Sequence, residues 1–321
     1  MRFPSSQKAS IGVMGMAASA RLTAEDPSTN GVAVGLEPVT VIYVAYGTNS
    51  LDTAWTQPDD AVVIVHNDDA LDPASVAHSR VRHLRPTRNI GFGAAVNLAL
   101  ECVQTPRLIL CNPDTLLSGV HRVALASDQP DHLITIPLND ERGEATWVVQ
   151  PYPSCTAALA MGYRLGRHLQ RTSRLRALGS LLTNSRRVRS EALLGIGEGD
   201  WSLSTHWASA AVVSVDAQRL RDVGGFDPRY FLYMEDVDLC QRLAERFPEM
   251  RVRVSPCPAG THAVGGSSGV ALRNRVELHR LRSLRRYCLS RPGFGWRVAG
   301  ALTAPRERWL AWRVSGGGDG G

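Results

Sequence analysis

The chain has 321 residues, 44% of them hydrophobic and 21% charged, which is enough apolar material for a substantial core and excludes a disordered polymer. No apolar run reaches the roughly 18 to 20 residues that span a bilayer, the N-terminus lacks the continuous apolar stretch of a signal peptide, and six cysteines without a C-x-x-C pair read as reduced thiols, so the sequence predicts a cytoplasmic protein. A net charge of +6 comes almost wholly from arginine: Lys8 is the one lysine, which excludes a P-loop and Schiff-base chemistry.

Residues 1–37 mix Ser, Ala, Gly, Thr and Pro without a sustained period and read as a mobile leader. Val39 to Tyr46 is a β-branched run stopped by Gly47-Thr48-Asn49, as a buried strand ending in a polar loop would be. Ala61 to Val65 predicts a second strand, stopped at His66-Asn67-Asp68-Asp69, and Val81 to Leu84 a short third one before Arg85-Pro86. Gly91-Phe92-Gly93 opens a helix in which Val96, Leu100 and Val103 recur at helical spacing. Leu108 to Cys111 is a further strand, cut by Asn112-Pro113-Asp114. Strands alternating with helices at this spacing predict an α/β fold, doubly wound around a mostly parallel central sheet, with ligands beyond the carboxyl ends of the strands.

Residues 139–200 show no period that assigns an element. Ala208 to Val215 is an apolar run, Gln218 to Val223 a short helix, and Gly224-Gly225-Phe226-Asp227 a turn whose glycines accept positive φ. Asp236 to Phe247 predicts a helix with Leu239, Leu243 and Phe247 on one face. Arg251 to Val254 reads as the last strand, leading into a loop at Gly260-Thr261-His262. The organisation expected is a domain over 38–270, divided into halves at 38–120 and 121–270, followed by a basic helical extension over 271–321. That extension carries eleven arginines against Glu277 and Glu307 between 271 and 313, and 164–190 carries eight arginines and no acid. Nucleic acid, anionic lipid or a phosphorylated substrate would each account for such an asymmetry, as would solvated helix faces.

Three clusters carry chemistry. Asp114, beyond a strand that proline terminates, suits either an ordinary turn or a hard divalent cation that takes its remaining ligands from water and phosphates. Glu235, Asp236 and Asp238 follow the aromatic run Tyr230-Phe231-Leu232-Tyr233. Crowded carboxylates raise one another's pKa while a helix N-terminus favours their ionised forms, so this cluster fits a general base as well as helix capping. Asn89 to Asn97 is glycine-rich but is no dinucleotide fingerprint, because Val96 stands where the third glycine belongs and the strand ends well before Gly91.

Tyr46-x-x-Asn49, Asn67-Asp68-Asp69, Asn89-x-Gly91-Phe92-Gly93-x-Ala95-x-Asn97, Asn112-Pro113-Asp114 and Gly224-Gly225-Phe226-Asp227-x-x-Tyr230-Phe231-x-Tyr233-x-Glu235-Asp236-x-Asp238 occur in one order over about 38–290. Together they resemble the family 2 glycosyltransferases of GT-A fold, particularly the rhamnosyltransferase-like branch. The resemblance implies an inverting transfer with Asp236 as catalytic base beside Glu235, and a metal site for Mn2+ or Mg2+ at Asp114 and His262. It also implies a nucleotide wall of Tyr46, Asn49, Asn67, Asp68, Asn89, Gly91, Gly93 and Asn112. His66 departs from it, standing where many relatives carry a base-contacting aspartate. The implied donor is dTDP-rhamnose or a UDP-sugar and the implied acceptor a cell-envelope glycan or lipid-linked glycan. An anionic membrane surface would engage the basic extension through Trp296, Trp309 and Trp312, giving a peripheral location on the inner face of the membrane. No nucleic-acid module accompanies the charge. A nucleotidyltransferase and an inactive scaffold of the same fold are the alternatives. The former typically clamps its triphosphate with basic residues in a glycine-rich first loop, where Tyr46-Gly47-Thr48-Asn49 offers none, and the latter would not need both Asp114 and Asp236.

Overall fold

The computed structural model describes residues 36–163, 199–263 and 270–315. All but the last two residues of the expected leader, and the basic stretch at 164–190, lie outside them. The described residues from Leu36 onward form one compact unit. Four strands open it: β1 (Thr40–Ala45), β2 (Ala61–His66), β3 (Val81–Leu84) and β4 (Arg107–Cys111), with helix α1 (Phe92–Leu100) between the last two. There follow β5 (Thr115–Leu116), α2 (Gly119–Leu125), β6 (His132–Thr135), β7 (Leu138–Asn139), β8 (Val149–Pro151) and α3 (Cys155–Gly162). The second part holds β9 (Gly199–Ser202), β10 (His206–Ala208), β11 (Val212–Asp216), α4 (Ala217–Asp222), α5 (Glu235–Arg246), β12 (Arg251–Val254) and β13 (Gly260–His262). Two long helices, α6 (Val270–Ser290) and α7 (Phe294–Val314), close the chain.

The central sheet runs β3-β2-β1-β4-β11-β6-β12-β9. Only β11 and β9 run against the other strands, so the sheet is mostly parallel, as the alternation of elements predicts. Its two faces are both buried. Ile42, Val44, Val63, Val65, Leu108 and Leu110 point to one side, where Ala95 and Val96 of α1 and Leu239 and Leu243 of α5 cover them. Val41, Tyr43, Val62, Ile64 and Ile109 point to the other, against Trp55, Leu71 and Leu125. Burial on both sides is why these strands read as continuous apolar runs rather than alternating ones.

At the edge of the second layer, Arg122 and Asp60 form a bidentate pair at 2.6 and 2.7 Å with side chains 1% and 0% exposed. Asp60 also accepts the backbone N–H groups of Val39 and Gln57, and Arg122 donates to the Glu37 carbonyl. The pair therefore ties α2 to the entries of β1 and β2.

Three expectations are corrected. Gly260-Thr261-His262 is strand β13, paired with both β5 and β7 in a separate three-stranded sheet, so β12 is not the last strand. The apolar run from Ala208 to Val215 is divided: β10 pairs with β8 in a two-stranded sheet, and the chain crosses to the central sheet over Ser209–Ala211 before β11 begins. The helix predicted from Asp236 starts at Glu235, and Phe247 caps it. Strands of two or three residues carry too little pattern to be read locally, because pairing with distant segments decides them.

The basic C-terminal segment is helical, as expected, and it packs into the unit. Leu284, Tyr287 and Cys288 of α6 and Ala299 of α7 share an apolar cluster with Tyr230, Met234 and Val237. Gly162 of α3 fits against Thr303 of α7, where a Cβ would stand 2.7 Å from the threonine methyl. Among the described residues, no helix is long and apolar enough to cross a membrane, and the six cysteines are free.

Candidate functional site

The acidic cluster sits on a strained connection. Tyr233 and Met234 adopt left-handed φ values of 67° and 68° immediately before α5, a conformation that costs side-chain-bearing residues about 1–3 kcal/mol each and persists only where the surroundings impose it. Those surroundings are visible. The Phe231 ring stacks on His279 of α6 with centroids 4.2 Å apart, Ser283 donates to the Leu232 carbonyl at 2.9 Å, and Met234 is buried. From the other side, the Phe92 N–H donates to the Phe231 carbonyl at 3.0 Å. Gly91 makes this approach feasible: it has φ +84°, and a Cβ there would stand 2.4 Å from the Phe231 oxygen.

Asp236 lines a cavity of about 460 Å3, among Trp147, Trp207, Tyr233, Met234 and Leu284, with Arg280 of α6 on the same wall. Its Oδ1 accepts the Val237 N–H at 2.9 Å. Burial pushes its carboxyl up, backbone N–H groups of Val237 and Ala210 pull it back, and the balance is a pKa of about 6. Glu235 is buried and its Oε2 has no hydrogen-bond partner among the described residues. Burial first, then the charge of Asp236, raises its pKa well above the ordinary carboxylate range. Neighbouring acids in such a place do not ionise together, so one carboxylate of the pair ionises while the other keeps its proton. The third acid is structural: Asp238 pairs with Arg242 at 2.8 Å, and Arg242 also donates to the Val223 and Gly225 carbonyls.

Asp114 and His262 meet, although far apart in sequence. Pairing of His262 with Thr115 across β13 and β5 brings the His262 Nε2 to 3.2 Å from the Asp114 Oδ1, and the Asn112 Nδ2 lies 3.3 Å from the same ring nitrogen. Asp114 is exposed and His262 half-buried. Among the described residues no third His, Cys, Asp or Glu completes a cluster. A carboxylate and an imidazole with open space around them fit a hard divalent ion that keeps waters and takes phosphate oxygens, rather than a closed structural centre.

One dipeptide joins the two groups. The Ala210 backbone amide is near enough to the Asp236 carboxylate to lower its pKa, and the carbonyl of the next residue, Ala211, accepts the Asn112 N–H at 2.7 Å. The segments carrying Asp236 and Asp114 therefore flank Ala210-Ala211. Sequence reasoning missed Ala210, because a backbone donor has no residue signature, and missed Trp147, which lies in the stretch without a period. Trp207 stands just before the apolar run from Ala208, and Arg280 was visible only as part of the basic segment.

The residues expected at the nucleotide wall lie at the ends of β1 and β2, at the entry and first turn of α1, and, for Asn112, just after β4, with different roles. Tyr46 and Asn49 are exposed. Asp68 accepts the Gly47 N–H at 2.6 Å and so ties the two loops together. Buried Asn67 donates to the Gly91 carbonyl and accepts the Ile90 N–H, while Asn89 accepts the Gly91 N–H. Asn67 and Asn89 thus shape the entry to α1 through its backbone. Gly93 packs on Phe226, where a Cβ would stand 2.8 Å from the phenylalanine Cβ. Asn97 joins α1 to the double-glycine turn, bonding both the N–H and the carbonyl of Phe226. His66 is buried, with its Nε2 2.9 Å from the Nδ1 of His83. Burial, and then Arg85, lowers its pKa.

No family model matches the chain. Over 39 residues it is 51% identical to an N-acetylglucosaminyl-diphospho-decaprenol L-rhamnosyltransferase of Mycobacterium tuberculosis, a match covering 12% of this chain and 13% of the relative. The matched segment thus spans about an eighth of that protein. Similar solved structures are glycosyltransferases. GalNAc-T7 with UDP, GalNAc and Mn2+ has a TM-score of 0.45 at 11% identity, over 87% of this chain and 57% of that one. The mannosyltransferase PcManGT from Pyrobaculum calidifontis with GDP-Man and Mn2+ has 0.45 at 14%, over 88% and 74%. S. aureus TarS 1-349 has 0.42 at 11%, over 87% and 72%. All three scores lie below 0.5.

Proposed function

We propose that this chain is an inverting, metal-dependent glycosyltransferase that moves a sugar from a nucleotide-sugar donor to an acceptor hydroxyl. The observation that carries the reading is that Ala210-Ala211 lies against both the segment of Asp236, whose carboxyl has a pKa of about 6, and the segment that leads into the Asp114–His262 pair. Asp114 and His262 would hold the divalent cation, Mn2+ or Mg2+, and such an ion supplies charge stabilisation to the departing diphosphate. Asp236 is mostly ionised at neutral pH yet more basic than an ordinary carboxylate, which is the compromise a general base needs. The acceptor oxygen attacks the anomeric carbon from the face opposite the leaving group, its proton passes to Asp236, and the bond from that carbon to the phosphate oxygen breaks. Glu235, holding its proton, adds no second charge beside the base.

The cavity at Asp236 supports a sugar-bearing acceptor. Trp147, Trp207 and Tyr233 offer aromatic surface for the apolar face of a sugar ring. With the partial relative's printed name, this supports a glycan or lipid-linked glycan acceptor and dTDP-rhamnose ahead of UDP-sugars as donor. The test is release of nucleoside diphosphate from a panel of sugar nucleotides, with and without manganese or magnesium; release of pyrophosphate from a nucleoside triphosphate would instead indicate a nucleotidyltransferase. Asp114→Ala is expected to weaken metal-dependent donor binding by about tenfold or more, read by titration calorimetry. Donor binding indifferent both to this change and to a chelator would remove the metal from the scheme.

A membrane surface suits the outer face of α7. Phe294, Leu302, Trp309 and Trp312 are 83%, 47%, 50% and 55% exposed, and Arg297, Arg308 and Arg313 stand exposed among them. Trp296 takes no part in that face, since it packs edge-on against Tyr287. Aromatic rings and arginines on one surface fit the interface of an anionic leaflet, which supports a peripheral location on its cytoplasmic side. Trp309→Ser with Trp312→Ser is expected to reduce sedimentation with phosphatidylglycerol vesicles while leaving donor hydrolysis in solution unchanged; sedimentation equal to the parent chain would discard the membrane reading.

A further inference from the structure

A second cavity, of about 660 Å3, lies on the opposite side of α6 from the one at Asp236. Arg280 and Leu284 face the first; His279, Arg282, Ser283, Arg285, Arg286 and Leu289 line the second, together with Arg229, Tyr230, Phe231, Asp238, Ser290 and Glu307. None of the residues expected at the nucleotide wall or the metal is among them. Its size is in the range of ligand sites, but its lining is arginine-rich where small-molecule pockets are ordinarily apolar.

The charge there is not internally settled. Arg229 is neutralised by Asp227 at 2.6 Å and Asp238 is occupied by Arg242 at 2.8 Å. The remaining acid of the lining, Glu307, is shared between Arg282 at 3.5 Å and Arg285 at 3.6 Å. Both distances are longer than the about 2.7–2.9 Å of a good charge-assisted hydrogen bond. Among the described residues Arg286 has no ion-pair partner, and the Arg285 Nε is buried without an acceptor. A buried donor without an acceptor is costly, and guanidinium groups at i, i+3 and i+4 on one helix face present their planar forks together. The group that satisfies several such forks at once is a phosphate, which accepts bidentate hydrogen bonds.

We propose that Arg282, Arg285 and Arg286 form a binding site for a phosphate-bearing anion, separate from the donor site and on the far side of α6 from the catalytic cavity. A soluble diphosphate and the phosphate of a lipid headgroup present the same chemistry to it. The site stands whether or not the transferase reading does.

Two arms test it with the full chain in the absence of divalent cations. Inorganic pyrophosphate is titrated calorimetrically, and vesicles of phosphatidic acid in phosphatidylcholine are sedimented with the protein. The variants are Arg282→Gln with Arg286→Gln, both exposed and so tolerated by the fold, then Arg285→Gln, with Asp114→Ala as control. An unchanged Tm shows that each variant is folded. The expected result is about a tenfold or greater weakening by the arginine changes and none by Asp114→Ala. Weakening in the pyrophosphate arm assigns a soluble anion, and weakening in the vesicle arm alone assigns a headgroup. Binding that ignores the arginine variants in both arms, or that is lost with Asp114→Ala instead, overturns the proposal.

Discussion

Asp236→Asn is expected to lower the rate of sugar transfer by about 10²- to 10⁴-fold, the span over which positioned bases act, while leaving folding and donor binding in place. The amide keeps an Oδ1 for the Val237 N–H, so the start of α5 retains its geometry. What it loses is the ability to take a proton. The parent enzyme's rate should rise with pH through about 6, as burial-raised Asp236 ionises; the sign follows because the ionised form is the active one. In the variant that ascending limb should vanish along with the activity. Nucleoside diphosphate release measured from acid to neutral pH, with donor affinity measured in parallel, checks both, and turnover near the parent level would end the assignment. Glu235→Gln is the companion measurement. Its side chain copies the protonated carboxyl that burial favours at Glu235, whose Oε2 has no hydrogen-bond partner among the described residues, so it should be tolerated where Asp236→Asn is not.

The largest stability effect belongs to Arg122→Met, which leaves Asp60 buried without its cation and is expected to cost about 3–5 kcal/mol, measured by urea unfolding at neutral pH. Replacing both partners by apolar residues of similar volume should recover much of the loss, since the expense lies in an orphaned charge rather than in a missing contact. Burial alone would raise the Asp60 carboxyl, but Arg122 and the backbone N–H groups of Val39 and Gln57 outweigh it and hold the pKa below the ordinary value. The stabilisation is therefore present above the unfolded carboxylate's pKa and fades as pH falls through the lower folded value. The deficit of Arg122→Met should accordingly shrink in acid. A deficit below about 1 kcal/mol, the range of an exposed pair, would show that the pair is not the clamp its geometry describes.

Much of the fold is written in local patterns. Strands β1, β2 and β4 are legible because burial on both faces demands unbroken apolar runs, and the Gly, Asn and Asp residues that stop them are turn formers. Helix α5 shows because one of its faces is buried and the other wet. By contrast α3, Cys-Thr-Ala-Ala-Leu-Ala-Met-Gly, has small residues packed against α7 and little polar contrast, so it offers no period. Strands β5, β7 and β13 exist only through pairing with one another. The same division runs through the site. Asp114, His262 and Asp236 are recognisable by residue type and neighbours. Asn67, Asn89 and Gly91 are recognisable as a motif, yet the bonds they make in the structure are to the chain's own backbone. The Ala210 N–H and the cavity wall at Trp147 emerge only once distant segments meet.

The two consecutive left-handed residues ahead of α5 set how the Asp236 carboxylate is held. Glycine would occupy Tyr233 and Met234 with less strain, and would also let the connection sample many other paths. Side chains locked on both flanks make it a stiff elbow. A carboxylate mounted there is aimed before any reactant arrives, so Asp236, as the proposed base, would enter the reaction with little preorganisation left to acquire.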